Sequence, residues 1–431
     1  MVVEPVFRGR EFWTLLATSS FVDGYNLILA APLVVLEGLR GGPLSPSLQS
    51  FLLIAAIAGN FAGGLLLGRL GDLLGRRRTF LWDLGFFVLL PVLCVLAPTV
   101  LILGILRFVL GIGIGGNYPL SSVLLAEHSD RANRGSRVAR LGIFWTAGAL
   151  ASYLVGAGAY LLGPWGIPVL LLGAVPGAGI VMLLRRRLRE SPLWEMARQR
   201  LDRERRNWPH PWAELTGRWQ ARRTAYALSF WFLFDVVQYG VSLFLPILIV
   251  VFGGIRGAAA LGVSSLLYAG ELGGTLLGAY GVDRWGRRPL QLGGFGAMTL
   301  ALAAAAVLHG MITSTPALLG LLLLTVTVGV GTGPGILEFV YPPELFPTSV
   351  RATGSGLALS MSRLGAVVGI LLGAVLGHSP VLFALYAIAG GLAFLITWWW
   401  APETRGSDLG EPLGDAPRPV EGKPPARPLA G

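Results

Sequence analysis

Twelve apolar runs dominate the chain, each long enough to cross a hydrocarbon core about 30 Å thick as a helix of about 20 residues. They lie near residues 12–36, 48–68, 79–97, 99–126, 138–162 and 166–184 and, beyond a polar stretch, near 224–252, 258–282, 289–309, 314–341, 354–377 and 379–401. Lipid offers no partner to a backbone amide, so each run has to satisfy its own as a helix. The predicted fold class is therefore an all-α membrane protein with twelve transmembrane helices. Charged residues make up 13% of the 431 positions, against about 25% in soluble domains, which excludes a solvated surface all round. The first run is too long for a signal-peptide core and lacks an A-x-A-like site with a polar flank, so it is read as the first span.

Orientation follows from the basic residues. Of 34 Lys and Arg, 30 fall on one side in alternate loops, only Arg40 and Arg256 on the other, and Arg107 and Arg363 within spans. The positive-inside bias predicts both termini and the long 185–223 loop in the cytoplasm. That loop holds 12 Arg against five acids, which suits either a solvated linker or an amphipathic helix on anionic headgroups. The net charge of +11 is thus topogenic, and no nucleic-acid partner is expected. The single cysteine, Cys94, lies in an apolar run and excludes an intrachain disulfide or CxxC site. With no P-loop, nucleophile–base pattern or metal-ligand cluster, the reading is neither an enzyme nor an ATP-driven pump, with no cofactor and no metal.

The halves repeat weakly. Gly71-Asp72-Leu73-Leu74-Gly75-Arg76-Arg77 recurs as Asp283-Arg284-Trp285-Gly286-Arg287-Arg288 at an offset of 211. Glu127 and Arg134 recur as Glu344 and Arg351 at 217, and the glutamates of Arg189-Glu190-Ser191-Pro192 and Pro402-Glu403-Thr404 at 213. Three echoes at nearly one spacing predict two pseudo-symmetric six-helix bundles. The predicted division is 1–187, a basic linker 188–222, a second bundle 223–402 and a tail 403–431.

Charges at membrane depth are costly, so each is a functional candidate. Asp23 and Asp235, each about eleven residues into its span, are 212 apart and are expected to line a central cavity as proton-coupling acids. Trp231, Asp235, Gln238 and Tyr239 share one face of the seventh span by i, i+4, i+7, i+8 spacing. Arg363 keeps its proton at midplane depth and needs an anion: Asp235, Asp23 or a bound substrate. Glu271 is open to facing the same cavity, Asp83 to pairing with Arg76 to Arg78, and Glu338 to simple hydration near the basic end.

Gly68-x-x-x-Asp72-x-x-Gly75-Arg76-Arg77-Arg78 and Arg107-Phe108-x-x-Gly111-x-Gly113 resemble signatures of the major facilitator superfamily. Tyr341-Pro342-Pro343-Glu344-Leu345-Phe346-Pro347-x-x-x-Arg351-x-x-Gly354 and Pro402-Glu403-Thr404-Arg405-Gly406 resemble its sugar-porter-like branch. The resemblance implies that Asp72 sits against the positive end of a helix in the other half while the arginines bridge to acids. Asp72, Arg76, Glu127, Arg134, Asp283, Arg287, Glu344 and Arg351 would then latch one end, Glu127 pairing with Arg134 and Glu344 with Arg351. Topology and helix capping are the alternative role. Arg107 matches the fourth-helix arginine, implied to influence proton exchange or to bond backbone across helices.

Locally, Gly111-Ile-Gly113-Ile-Gly115-Gly116-Asn117-Tyr118-Pro119-Leu120-Ser121, Trp231-Phe-x-x-Asp235-x-x-x-Tyr239-Gly240 and Asp23-Gly24-Tyr25-Asn26 resemble proton-coupled phosphate symporters. Related aromatic- and organic-acid symporters share the Asp-Gly-Tyr pattern. Carried over on matching positions, the likeness implies Tyr118, Trp231, Asp235 and Tyr239 as substrate ligands and Asp23 as a proton-pathway acid; Asn117, which stands in place of their Asp, Gln238 of the seventh-span stripe and Arg363 complete the expected substrate site. Ala147, Gly335 and Arg363 stand where those symporters carry Gln, Asn and Lys. The function expected is secondary active transport, proton-coupled symport of a small polar or anionic metabolite (phosphate or organic acid) by alternating access. The partners are the substrate, protons and the plasma-membrane bilayer, and the working unit is a monomer. Facilitative or proton-coupled sugar or polyol transport is one alternative, a non-transporting nutrient sensor another.

Overall fold

The computed structural model describes residues 10–42, 44–82, 84–185, 190–203, 210–377 and 379–409. Ten helices within it are long and apolar enough to span a bilayer, and two bent helix pairs bring the number to twelve. Span 1 is Thr14–Ile28 with Ala30–Leu39, bent by 45°. Spans 2 to 6 are Pro46–Leu74, Arg76–Val95, Val100–Glu127, Arg134–Tyr160 and Gly163–Leu183. Span 7 is Ala221–Ser242 with Leu245–Gly253, bent by 50°, and spans 8 to 12 are Ala258–Gly281, Arg287–Val307, Pro316–Leu345, Arg351–Leu376 and Pro380–Trp400. Asp83 and the tail beyond residue 409 lie outside the described residues, as does part of the expected 188–222 linker.

The bends have local causes. Pro246 opens the second segment of span 7, where its missing N–H and fixed φ break the ladder. Span 10 breaks likewise at Gly333-Pro334, between Pro316–Thr332 and Pro334–Leu345. At membrane depth such breaks are tolerated where helix neighbours rather than lipid receive the freed backbone.

Spans 1 and 5 pack together, as do 2 and 4; six spans later the pairs are 7 with 11 and 8 with 10. The halves meet chiefly through span 2 on span 11 and span 5 on span 8, two contacts that the repeat exchanges. Close approach there depends on missing side chains: a Cβ on Gly356 of span 11 would lie 2.2 Å from the Gly64 carbonyl oxygen of span 2. In lipid such van der Waals contact, rather than apolar burial, holds helices together.

Candidate functional site

Two polar layers lie along the seam between the halves. The outer one is at the basic end, where the loop motifs meet. Asp72 ends span 2 and accepts the backbone N–H groups of Ala352 (3.2 Å) and Thr353 (2.7 Å) at the start of span 11, together with the Thr353 hydroxyl at 2.6 Å. A carboxylate on orphan helix N–H groups satisfies them and opposes the positive dipole end. Asp283 repeats this from the other half, accepting the Ser136 N–H at 2.7 Å near the start of span 5.

The ion pairs are exchanged between halves. Glu127 receives Arg351 at 2.6 Å and Arg76 at 3.5 Å, while Glu344 receives Arg287 at 2.7 Å and Arg134 at 3.1 Å. The expected pairing of Glu127 with Arg134 and of Glu344 with Arg351 is therefore corrected. Seven residues separate each of those pairs in sequence, but Pro347 and the turn before Arg351, like the 128–133 turn before Arg134, carry each arginine to the other half. All four arginines and both glutamates are buried. Each cluster is completed by its own half: Arg76 also meets Asp72 at 3.1 Å and Arg287 meets Asp283 at 3.0 Å.

Two glutamates that the sequence reading did not place in the site complete this layer. Glu190, in the linker, accepts the N–H of Arg76 at 2.9 Å and of Arg77, and Glu403 does the same for Arg287 (3.1 Å) and Arg288 (3.2 Å). Burial pushes the Glu190 carboxyl above the ordinary range, against the lowering effect of those amides and of Arg76. The linker helix Pro192–Arg203 is tied in through Trp194, whose indole N–H donates to the Asp72 carbonyl at 2.7 Å. The signal for this was the 213-residue echo of the glutamates, which does not by itself say what they cap.

The inner layer is the central site. Arg363 of span 11 donates to Asp235 of span 7 at 2.7 Å, both side chains being about 1% exposed. Gly365 and Gly369 make this possible: a Cβ at either would lie 2.1–2.2 Å from the carbonyl oxygens of Phe232 and Val236, so spans 7 and 11 touch backbone to backbone. The guanidinium stands 4.9 Å from the Tyr239 ring centre, a cation–π contact. Trp231 donates its indole N–H to Glu338 at 2.7 Å, and Gln238 donates to Glu271 at 3.4 Å. Asp235, Gln238, Tyr239, Glu271 and Glu338 line one small cavity with Trp145 and Thr146 of span 5, of about 10 Å³. That is room for about one water.

Glu338 is thus buried in the central site rather than hydrated at the basic end, because it lies one turn past the Gly333-Pro334 break, on the face with Gly331 and Gly335 that lines the same cavity. Asp23 also differs from its expected place. It accepts from Asn117 at 2.5 Å, and Ser19 donates to the Asn117 oxygen at 2.8 Å, so this group lies between spans 1 and 4 inside the first half and not among the residues lining the cavity. Tyr118 packs on Phe339 and Trp231, with ring centres 4.3 and 6.0 Å away. Arg107 donates to the Asn26 carbonyl of span 1 at 2.6 Å, one of its two expected roles.

The halves also meet beyond the site. Tyr153 of span 5 donates to the Ser242 carbonyl of span 7 at 2.7 Å, and Tyr160 lies where a Cβ on Gly257 would stand.

Residues 13–369 match the model of the Major Facilitator Superfamily. The chain belongs to that superfamily. This major facilitator is 31% identical to the inner membrane metabolite transport protein YgcS of Escherichia coli over 90% of its own length and 88% of the relative's. It is 27% identical to inorganic phosphate transporter 1-6 of Oryza sativa, covering 94% and 92% of the two chains. The solved structure of the proton:xylose symporter XylE superposes with a TM-score of 0.79 at 20% identity, over 93% of this chain and 97% of that one, a likeness of fold. The protein is a multi-pass membrane transporter of small molecules.

Proposed function

We propose that this facilitator is a proton-coupled symporter of a small anionic metabolite, a phosphate or an organic acid, with both termini in the cytoplasm. The observation that carries the reading is the buried Arg363–Asp235 pair, whose carboxylate lines the central cavity. A guanidinium does not give up its proton, whereas a carboxyl at this depth does change state as its surroundings change. When Asp235 takes a proton it releases Arg363, whose planar donors then hold an incoming anion. Proton and anion enter together because one substitutes for the other beside the same cation. Closing the basic end behind them is the task of the exchanged ion pairs, and Asp23, held by Asn117, is the second proton-accepting group. The phosphate transporters among the relatives support an anion; XylE supports the fold alone.

Uptake into proteoliposomes against phosphate, organic acids and sugars, with and without an inward-acid gradient, tests this. Accumulation of an anion should follow the gradient, and Asp235→Asn should lose accumulation while Arg363→Gln loses uptake altogether. Gradient-independent uptake of a neutral sugar that no anion inhibits would defeat the proposal.

A further inference from the structure

Glu271 and Glu338 stand in the cavity with Asp235, whose carboxylate is paired by the Arg363 guanidinium. That guanidinium is committed to Asp235 at 2.7 Å. Among the described residues neither glutamate meets a basic side chain within ion-pair distance, although they are only 2% and 6% exposed. Glu338 takes the Trp231 indole at 2.7 Å; Glu271 receives one long bond from Gln238, at 3.4 Å, and its Oε2 has no hydrogen-bond partner. The indole N–H of Trp145, 5% exposed and lining the same cavity, is unpartnered too. Buried carboxylates without a cation are expensive unless something in the working cycle balances them.

We infer that Glu271 and Glu338 form a subsite for a positively charged nitrogen, so that the favoured substrates are small zwitterions whose acidic end is held by Arg363. This rests on the anion-binding reading of Arg363 given above and narrows it. A bare anion would add negative charge beside two carboxylates, whereas an ammonium or quaternary nitrogen cancels one of them. Trp145 and Phe234, which line the cavity, bring aromatic rings of the kind that attracts such a cation, and an ammonium supplies the donors that the Glu271 Oε2 lacks. Two carboxylates exceed one ammonium by a single charge. A proton on the second restores balance, so the cationic end also enters with a proton. At about 10 Å³ the cavity admits a metabolite only as the spans part, which places binding in an open state and closure after it.

Binding to the purified full-length protein in nanodiscs, followed by quenching of tryptophan fluorescence, tests this with three four-carbon probes that carry the acidic end, the basic end or both: butyrate, butylammonium and 4-aminobutyrate. 4-Aminobutyrate should bind at least ten-fold more tightly than either of the others. That preference should collapse towards unity in Glu271→Gln and in Glu338→Gln, with folding checked by circular dichroism and gel filtration. Butyrate binding as tightly as 4-aminobutyrate to the wild-type protein, with Arg363→Gln abolishing both, would overturn the inference and leave the anion reading standing. Tight butylammonium binding that is insensitive to Arg363→Gln and to competing butyrate would overturn both. Binding of none of the three to the wild-type protein would also overturn the inference. The wild-type comparison decides even where a variant fails to fold.

Discussion

Arg351, the first residue of span 11, reaches across the seam to Glu127 at the end of span 4 with its guanidinium 2.6 Å from the carboxylate. The repeat returns the gesture through Arg134 and Glu344 at 3.1 Å. Each half therefore holds the other by an arginine, and neither cluster is complete without its partner half. Both pairs are buried, and removing one member leaves the other charge uncompensated at a cost of about 3–5 kcal/mol. Contacts that exist only when the end is closed are suited to holding one conformation.

Glu344→Gln should therefore open the basic end, because one substitution removes the negative charge that both Arg134 and Arg287 meet. Spin labels at positions 133 and 284, exposed and on opposite halves, report it. Their distance distribution should shift to longer values; an unchanged distribution would show that the pairs do not hold that end shut.

Asp72→Asn keeps an acceptor for the span 11 amides but loses the charge that faces the helix dipole and Arg76. We expect a loss of about 1 kcal/mol in closure, roughly a five-fold change in the equilibrium. Cycling should slow while ligand affinity at the central site stays near wild type. Lost binding together with lost expression would assign Asp72 to folding instead.

Arg363→Gln should lower thermal stability by the amount typical of an orphaned buried charge, about 3–5 kcal/mol, since Asp235 is left without its partner. Neutralising Asp235 to Asn in the same chain should recover most of that loss without recovering transport. A double variant as unstable as the single one would mean that Arg363 acts through contacts other than Asp235.

Gly356→Ala introduces a methyl 2.2 Å from the Gly64 carbonyl oxygen. Spans 2 and 11 must then separate, at a cost of about 1–3 kcal/mol. We expect a lower unfolding temperature and weaker closure on that side, whereas Gly293→Ala, which meets nothing within 4 Å, should be silent. Equal effects of the two would remove the argument from close packing.

Single cysteines at positions 205 and 420 should react with an impermeant maleimide only from the cytoplasmic side, given the 30-to-2 asymmetry of basic residues. Reaction from outside at either position would reverse the proposed orientation.

Much of this was legible along the chain. Span number follows from run length because lipid enforces helices; only the breaks escape, as at Gly333-Pro334, where two helices share one hydropathy maximum. The residues of the charged clusters at the basic end were readable from the repeat, and the stripe of Trp231, Asp235, Gln238 and Tyr239 from helical periodicity, which fixes which side chains share a face. What each side chain meets was not. Spacing of seven within Glu127–Arg134 invited a local pair, yet each arginine goes to the opposite half.

By itself, then, the sequence determined a helical membrane chain, twice repeated, with charged clusters at one end and acids at depth, because solvent partition and periodicity are local properties. Tertiary structure alone decided that Arg363 belongs to Asp235, that Asp23 is held by Asn117 inside the first half, and that Glu271 and Glu338 share a cavity. Those outcomes depend on how closely spans 7 and 11 approach over Gly365 and Gly369, and on where span 10 breaks. Contacts between spans far apart in sequence are set by packing, which no local pattern encodes.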